Sequence, residues 1–95
     1  MKILALEKEN KIVGQKQTPS LLRSEAERVW ELYQSGIIRE IYFTQEGHQA
    51  VIILECANQI QAKNVLESLP LLQAGMIDFE ILPLDPYTGF GRLFT

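Results

Sequence analysis

Two segments of this chain are apolar at consecutive positions, which limits how they can be packed. They are residues Lys2–Lys8 and Gln49–Cys56, and both are typical of β-strands. Because successive side chains of a strand point to opposite faces, each strand carries apolar side chains on both faces of its sheet. An antiparallel sheet with one solvated face would show polar residues there. Both faces are therefore predicted to be buried, through Ile3, Leu4, Ala5, Leu6, Val51, Ile52, Ile53 and Leu54.

Two helices are predicted between the strands. After a polar connector at residues 9–18, Thr18 followed by Pro19 indicates a helix start, and Gly36 indicates its end. Asn58 indicates the start of a second helix, which Pro70 is predicted to end. The side chains predicted to face the sheet are Leu22, Ala26, Val29, Trp30 and Tyr33 on the first helix and Ala62, Val65, Leu66 and Leu69 on the second.

Two further strands complete the pattern. Residues Ile38–Thr44 form a hairpin with Gln49–Cys56 around a short loop, and Met76–Leu84 is the last strand. The order β-α-β-β-α-β predicts one ferredoxin-like α+β domain over residues 1–95, with a four-stranded antiparallel sheet and two helices on one face. Because two helices cover only one face, the other apolar face predicts a homodimer.

Composition excludes several classes of function. The chain has 95 residues and a net charge of −3, with nine basic residues scattered among twelve acidic ones, so neither a nucleic-acid nor a membrane partner is predicted. The apolar run after Lys2 is shorter than a secretory signal requires, and the single Cys56 is typical of a reduced buried thiol, so a cytoplasmic protein is predicted. One histidine and one cysteine do not make a metal site, and no cofactor or metal is predicted.

The hairpin places candidate catalytic residues on one face. If the strands pair through the residues beside the loop, Ile38 lies opposite Glu55, and Glu40 and Tyr42 share a face with Glu55. Two carboxylates held close together raise the pKa of one of them, which supplies a general acid and a general base, with Tyr42 as a further donor. The alternative is that Glu40 lies at an exposed sheet edge and Glu55 forms an ion pair at a strand end.

Four other residues are candidates for binding a substrate. Arg39 could hold a substrate carboxylate, or could pair with an acid across a dimer. His48 could contact a ligand from the hairpin loop, or could be an exposed turn residue. Trp30 and Tyr33 belong to the helix stripe predicted to face the sheet, where they would line a cleft or simply be core.

A sequence pattern near the end of the chain resembles a known family. Residues 69–71 read Leu-Pro-Leu, and the last strand ends Glu-Ile-Leu-Pro-Leu at 80–84. Together with Leu-Tyr-Gln-Ser-Gly at 32–36, this pattern resembles the muconolactone isomerase family over roughly residues 30–87. The resemblance implies a dimeric α+β barrel, in which two ferredoxin-like sheets pack face to face and dimers can assemble into rings. It also implies a small molecule bound between sheet and helices.

The leading functional prediction is a small-molecule-binding protein that, if it is an enzyme, is a cofactor-independent isomerase. Lactone isomerisation itself is not predicted, because Leu4 to Leu6 and Asp85 to Tyr87 depart from the family's polar and basic pattern at those places. One alternative is a non-catalytic ligand-binding or interaction module. Another is a cofactor-free or haem-linked oxygenase.

The C-terminal arm, which we define as residues 85–95, is too apolar for a solvated terminus. Pro86, Gly89 and Gly91 predict that it is irregular. Its aromatic side chains are predicted either to cross the subunit boundary and pack on the sheet edge or cleft mouth of a partner, or to fold back on the helices of their own chain. They are Tyr87, Phe90 and Phe94.

Overall fold

A computed structural model describes residues 1–9 and 16–95, so residues 10–15 of the predicted connector lie outside the described residues. The elements follow the predicted order, with one short helix added after α2 and another at the C-terminus. They are β1 (Lys2–Glu9), α1 (Pro19–Gln34), β2 (Ile38–Phe43), β3 (Ala50–Glu55), α2 (Gln59–Glu67), α3 (Pro70–Gln73), β4 (Ile77–Leu84) and a 3-10 helix (Gly89–Phe94).

The four strands form one antiparallel sheet in the order β2-β3-β1-β4. The strands that are apolar on both faces, β1 and β3, lie at the centre, and β2 and β4 form the edges. The sheet is open, because β2 and β4 are not neighbours in it. The predicted ferredoxin-like α+β arrangement is confirmed.

Side chains fix the start of both long helices where the sequence predicts. Thr18 Oγ1 accepts a hydrogen bond from the backbone N–H of Leu21 at 3.1 Å. Asn58 Oδ1 accepts one from the N–H of Gln61 at 2.8 Å. Each such cap stabilises its helix by about 1 kcal/mol. At the other end of α1, Gly36 adopts the left-handed conformation (φ 83°) that ends a helix without strain.

The end of the second helix differs from the prediction. The helix α2 ends at Glu67, and Pro70 is the first residue of α3. Leu69, just before the proline, is extended (φ −76°, ψ 128°), as the proline ring requires of the residue that precedes it. The second helix therefore stops before Pro70, as predicted, but two residues earlier than its apolar stripe indicated. The sequence analysis did not predict α3, which Pro70 can begin because a first helical position needs no N–H.

The core lies between the sheet and the helices. We call the sheet surface that the helices cover the helix face. From β1 and β3 it presents Ile3, Ala5, Ile52 and Leu54, all fully buried. Burying one large aliphatic side chain of this kind contributes about 1.5–3 kcal/mol. The buried side chains from the helices are Leu32, Ala62, Leu66, Leu69 and Leu71.

The helix α1 packs with a different stripe from the one predicted. Leu32 is its fully buried residue, and Val29 is partly buried against the core. Trp30 and Tyr33 keep 57% and 49% of their surface exposed. The prediction that Trp30 and Tyr33 face the sheet was therefore wrong. The exposed residues Leu22, Ala26, Trp30 and Tyr33, at helical spacing, are called the α1 outer stripe below.

Polar contacts explain this rotation of α1. Arg28 Nε donates to Ser68 Oγ at 2.9 Å, and Glu25 Oε1 accepts from the backbone N–H of Leu71 at 3.0 Å. Both contacts reach from α1 to the segment around α3. Because they turn Glu25 and Arg28 inwards, the residues on the opposite side of the helix, Ala26 and Trp30, point outwards.

The other surface of the sheet, which we call the open face, lies opposite the helices. Its centre is aliphatic: Leu4 and Leu6 of β1 lie beside Ile53 and Val51 of β3, and all four are half-buried. The strands are therefore apolar on both faces, as predicted. The remaining open-face residues are Lys2, Lys8, Glu40, Tyr42, Glu55, Asp78, Glu80, Leu82 and Leu84.

The hairpin between β2 and β3 closes as predicted. The backbone N–H of Thr44 donates to the carbonyl of Gln49 at 2.8 Å. Between them Gly47 (φ 79°) and His48 (φ 50°) are both left-handed. Two consecutive left-handed residues give the reversal whose twist suits a tight hairpin, at a cost in strain for the non-glycine His48.

The pairing shifts at the far end of the hairpin. Glu40 pairs as predicted, but Ile38 lies opposite Leu54 rather than Glu55, and the register changes between Ile38 and Glu40. This β-bulge leaves Arg39 as an extra residue on the edge strand. The predicted pairing of Ile38 with Glu55 was wrong, because a hairpin register cannot be extended through an inserted residue.

The C-terminal arm is more regular than predicted. Residues Gly89–Phe94 form a 3-10 helix, and the N–H of Gly91 donates to the carbonyl of Thr88 at 3.1 Å. The side chain of Tyr87 packs edge-on against Phe90, with ring centroids 4.9 Å apart. Every residue of the arm except Gly89, which is half-buried, is exposed.

Candidate functional site

Glu40 and Tyr42 are joined by a hydrogen bond on the open face. Tyr42 Oη donates to Glu40 Oε1 at 2.7 Å, and both side chains are exposed on the edge strand β2. This hydrogen bond and the Glu40 charge raise the pKa of Tyr42, because loss of the phenolic proton would place two negative charges side by side. The pair therefore holds Tyr42 as a proton donor.

Glu55, the third predicted catalytic residue, lies on the same face with a different partner. Its Oε1 atom is 3.4 Å from the amino group of Met1. That amino group also donates to the carbonyl of Cys56 at 2.8 Å. Glu40 is thus paired with Tyr42 at an exposed edge while Glu55 forms an ion pair at a strand end, which is the alternative that the sequence also allowed. A catalytic role for the three residues stays a prediction.

Arg39 and His48 lie at opposite ends of β2. Arg39 Nε donates to the carbonyl of Gly36, which holds this exposed side chain against the end of α1. The His48 ring stacks on Phe43, with centroids 4.0 Å apart and an interplanar angle of 17°. The fold therefore does not bring these two predicted binding residues together.

Trp30 and Tyr33 form a third, separate feature. Their rings stack with centroids 6.0 Å apart on the α1 outer stripe. Both rings are turned away from the core, so the substrate-binding role predicted for them cannot rest on their lining the inside of the sheet–helix layer. That role stays a prediction without a shared site.

Two carboxylates that the sequence reasoning missed lie on the helix side of the sheet. Glu25 is half-buried on the inner side of α1, and Glu7 is half-buried on the helix face of β1. Burial raises the pKa of Glu25, the hydrogen bond from the Leu71 N–H lowers it, and the negative charge of Glu7 raises it again. The net result is a carboxyl group that keeps its proton to a higher pH than a solvated glutamate.

Backbone contacts hold Glu7 in place. Its carboxylate accepts from the N–H of Ala50 at 3.3 Å, and its carbonyl accepts from Gln49 Nε2 at 3.1 Å. The spacing of both acids from buried residues could have predicted their inward position. Glu7 alternates with Ile3 and Ala5, and Glu25 precedes the buried Leu32 by seven residues.

A shallow groove lies on the helix side of the molecule, and its lining includes neither Glu25 nor Glu7. It has a volume of about 260 Å³ and runs between α2, α3 and β4. Phe79, which pairs with Glu7 in the sheet, and Leu72, which follows the residue bonded to Glu25, both line it. The other lining residues are Lys63, Leu66, Glu67, Asp78 and Ile81. None of the predicted catalytic residues faces this groove.

The interior of the described chain is otherwise apolar. Over residues 1–9 and 16–95, no polar or charged side chain is fully buried. Cys56 is buried, as predicted, and burial raises the pKa of its thiol. Within the same ranges no three histidine, cysteine or acidic side chains come together as metal ligands would. The helices described in these ranges are too short or too polar to cross a membrane.

Comparison with known proteins identifies the fold. No protein-family model matches the chain, and no curated protein matches it in sequence. A solved structure of muconolactone isomerase superposes with a TM-score of 0.77 and 17% identity, covering 93% of this chain and 92% of that one. This chain has the muconolactone isomerase fold. The fold that the sequence resemblance implied is confirmed.

A second solved structure has the same architecture. It is 5-chloro-2-hydroxyhydroquinone dehydrochlorinase (TftG) from Burkholderia phenoliruptrix AC1100, in complex with 2,5-dihydroxybenzoquinone. The TM-score is 0.64 at 14% identity, over 94% of this chain and 98% of that one. At such identities the likeness establishes the fold, and residue roles do not transfer from it.

Proposed function

We propose that this protein binds a small oxygenated ring compound between its sheet and its helices and moves a proton on it. The half-buried Glu25 carboxyl, with its raised pKa beside the charge of Glu7, is the observation that carries this proposal. A carboxyl that titrates closer to neutral pH can both accept and return a proton, which is the requirement for general acid–base catalysis.

The chemistry follows from the positions of the two acids. Glu25 in its charged form takes a proton from a carbon next to a carbonyl, and then returns that proton to a different carbon or to oxygen of the same molecule. The product is an isomer, and no cofactor is consumed. The negative charge of Glu7, whose carboxylate is held by the N–H of Ala50, raises the pKa of Glu25 and so favours its protonated form after the first step.

The two proteins of known structure support the substrate class. One is an isomerase of a lactone, and the other is a dehydrochlorinase of a hydroxylated hydroquinone that was crystallised with a dihydroxybenzoquinone. Both names describe oxygenated ring compounds. The ring would bind in the groove between α2, α3 and β4, whose Phe79 pairs with Glu7 in the sheet. The lining combines apolar and charged side chains, Leu66, Leu72, Phe79 and Ile81 with Lys63, Glu67 and Asp78, which suits a flat ring with polar substituents.

A second proton-transfer site is carried by a separate observation, the hydrogen bond between Tyr42 and Glu40. In this candidate Glu40 or Glu55 is the base, Tyr42 is the donor, and Arg39 binds an acidic group of the ligand. Glu40, Tyr42 and Glu55 lie on the open face, so they would be enclosed only when a second copy covers that face, whereas Arg39 lies at the β2 bulge against the end of α1. The assembly that we propose is a homodimer through the open face, which can extend to a ring of dimers.

The decisive test follows proton exchange in deuterated water by NMR. Wild-type protein is expected to exchange ring protons of a small lactone or a hydroxyquinone, and Glu25→Gln is expected to lose at least 100-fold of that rate, the usual contribution of one acid–base group being about 10²–10⁴-fold. Glu27→Gln, on the exposed side of the same helix, is the matched control and keeps the wild-type rate.

The same assay separates the two sites. If Tyr42→Phe or Glu55→Gln abolishes exchange and Glu25→Gln does not, the reaction belongs to the open face. If wild-type protein exchanges no proton and no compound of the panel raises its melting temperature, the small-molecule proposal fails in favour of an interaction module.

A further inference from the structure

The chain as a whole leaves an unusual amount of surface in solvent, and the apolar side chains of the C-terminal arm are among its most exposed. The chain exposes 6932 Å², whereas a folded monomer of 10.8 kDa exposes about 5,500 Å². The excess, about 1,400 Å², exceeds the roughly 800 Å² that each partner contributes to a standard protein interface. The radius of gyration, 15.5 Å, is likewise above the roughly 12 Å of a compact domain of this length. The surface left over is thus enough for a stable complex.

The arm itself has the shape of a ridge. In a 3-10 helix, side chains three residues apart lie directly above one another. Phe90 and Leu93 follow this spacing, Tyr87 lies just before the helix and packs edge-on against Phe90, and each of the three keeps 66% or more of its surface exposed. The Tyr87 ring also covers Gly89, where a Cβ atom would overlap the ring. The three side chains therefore form one pre-shaped apolar ridge.

The α1 outer stripe has the complementary shape. Its small residue, Ala26, lies between the larger Leu22 and Trp30, which leaves a shallow notch on an exposed helix surface. From Leu22 to Tyr33 the stripe is about 16 Å long. Phe90 and Leu93 lie about 6 Å apart along the 3-10 helix, and the Tyr87 ring against Phe90 lengthens the ridge beyond the start of the helix. Aromatic rings on both surfaces add edge and stacking contacts to the burial of area.

The arm does not reach this stripe within its own protomer. It follows β4, at one edge of the sheet, whereas α1 packs against β2, at the other edge. The two edges are about 14 Å apart across the sheet. In the described chain both surfaces stay exposed.

We infer that the C-terminal arm of one copy docks its Tyr87–Phe90–Leu93 ridge on the α1 outer stripe of a second copy. Two copies that exchange arms in this way each cover Trp30 and Tyr33 of the other. The inference is independent of the small-molecule site, because it uses none of the residues of the sheet–helix layer.

The single tryptophan of the chain, Trp30, reports this contact directly. As the concentration of full-length protein rises, tryptophan emission is expected to shift to shorter wavelength while gel filtration with light scattering shows association. A chain that lacks residues 86–95 is expected to keep solvent-exposed emission at every concentration. Equal emission from both chains overturns the inference. A shift that does not depend on concentration also overturns it, because the arm would then fold on its own helix.

A peptide of residues 85–95, added to the shortened chain, tests the ridge. It is expected to restore the wavelength shift, whereas the peptide with Phe90→Ala and Leu93→Ala is expected to bind at least tenfold more weakly. Phe94→Ala, on a different side of the 3-10 helix, is the matched control and binds like the unchanged peptide. Equal affinity of all three peptides overturns the ridge.

Ala26→Lys in the shortened chain tests the notch. The substitution fills the notch on an exposed helix position, so the helix is expected to stay folded while the unchanged peptide binds at least tenfold more weakly. Ser24→Lys, exposed elsewhere on α1, is the control with the same added charge. Undiminished binding to the Ala26→Lys chain places the arm elsewhere and overturns the proposed surface.

Discussion

On the helix face of the sheet, Ile3 and Ile52 are completely enclosed by α1, α2 and α3, whereas on the open face their sequence neighbours Leu4 and Ile53 keep part of their surface in solvent. The two faces come from the same strands and have similar side chains. What differs is the number of helices available to cover them. The apolar residues of the strands therefore identify both surfaces that need burial. Only the number of helices available to cover them shows which surface is left for a partner.

The largest effect on stability is expected from a charge placed on the helix face. Ile52→Asp places a charge in a fully buried, apolar position without a partner. Its cost is expected to be about 4 kcal/mol or more, a large share of the stability of a domain this size. Circular dichroism and urea denaturation are expected to find it unfolded or nearly so. The adjacent Ile53→Asp, on the open face, is expected to stay folded and lose only about 1 kcal/mol. Equal losses would mean that both faces are enclosed within one protomer.

The second prediction concerns assembly. If a second copy covers the open face, Ile53→Asp is expected to raise the dissociation constant of that dimer by at least 100-fold, because it buries a charge at the centre of the interface. Sedimentation equilibrium measures this change. Lys63→Ala, on the helix side of the molecule, serves as the control and should leave association as it is. Identical association of the Ile53→Asp protein and the wild type would remove the open face from the interface.

A smaller effect is expected at Glu25, the half-buried glutamate on the inner side of α1. Because the pKa of Glu25 is higher in the folded chain than in the unfolded one, the folded state binds more protons there. This group's contribution to stability is therefore fully present below the pKa of an ordinary glutamate and is lost as pH rises through the raised value. Urea denaturation at several pH values is expected to show that loss in the wild type and a flatter profile in Glu25→Gln. The profile of Glu27→Gln should match the wild type, and a flat wild-type profile would contradict the prediction.

The smallest expected effect lies on the open face, at the ion pair between Lys8 and Glu80. The two charges are 3.7 Å apart and exposed. Such pairs contribute about 0–1 kcal/mol, so Lys8→Met is expected to change the free energy of unfolding by less than about 0.5 kcal/mol. Urea denaturation measures this change in the free energy of unfolding. A larger change would show that the ion pair is shielded from solvent.

The architecture could be predicted from the sequence because several local signals agree. The consecutive apolar residues of β1 and β3, the caps Thr18 and Asn58, and the hairpin closed between Thr44 and Gln49 all appear where the pattern places them. The resemblance at residues 69–84 pointed to the same fold, which the solved structure of muconolactone isomerase confirms.

The candidate site was less predictable, because it depends on side-chain contacts that periodicity does not contain. The rotation of α1 is fixed by Arg28 on Ser68 and by Glu25 on the Leu71 N–H, residues about forty positions apart. A hydropathy pattern prefers Trp30 and Tyr33 for the inner side, since it counts apolar side chains and cannot count such hydrogen bonds. In β2 the inserted Arg39 has the same effect, since a bulge is invisible to strict alternation.

Each edge strand of the sheet carries a feature that hinders pairing with a further strand. On β4, Pro83 has no N–H to offer to an incoming strand, and on β2 the bulge at Arg39 interrupts the regular row of donors and acceptors. Exposed regular edges are templates for fibres and for aggregation during expression. Growth of ribbons by strand addition is therefore expected to be blocked at both edges, even where copies associate through their apolar surfaces.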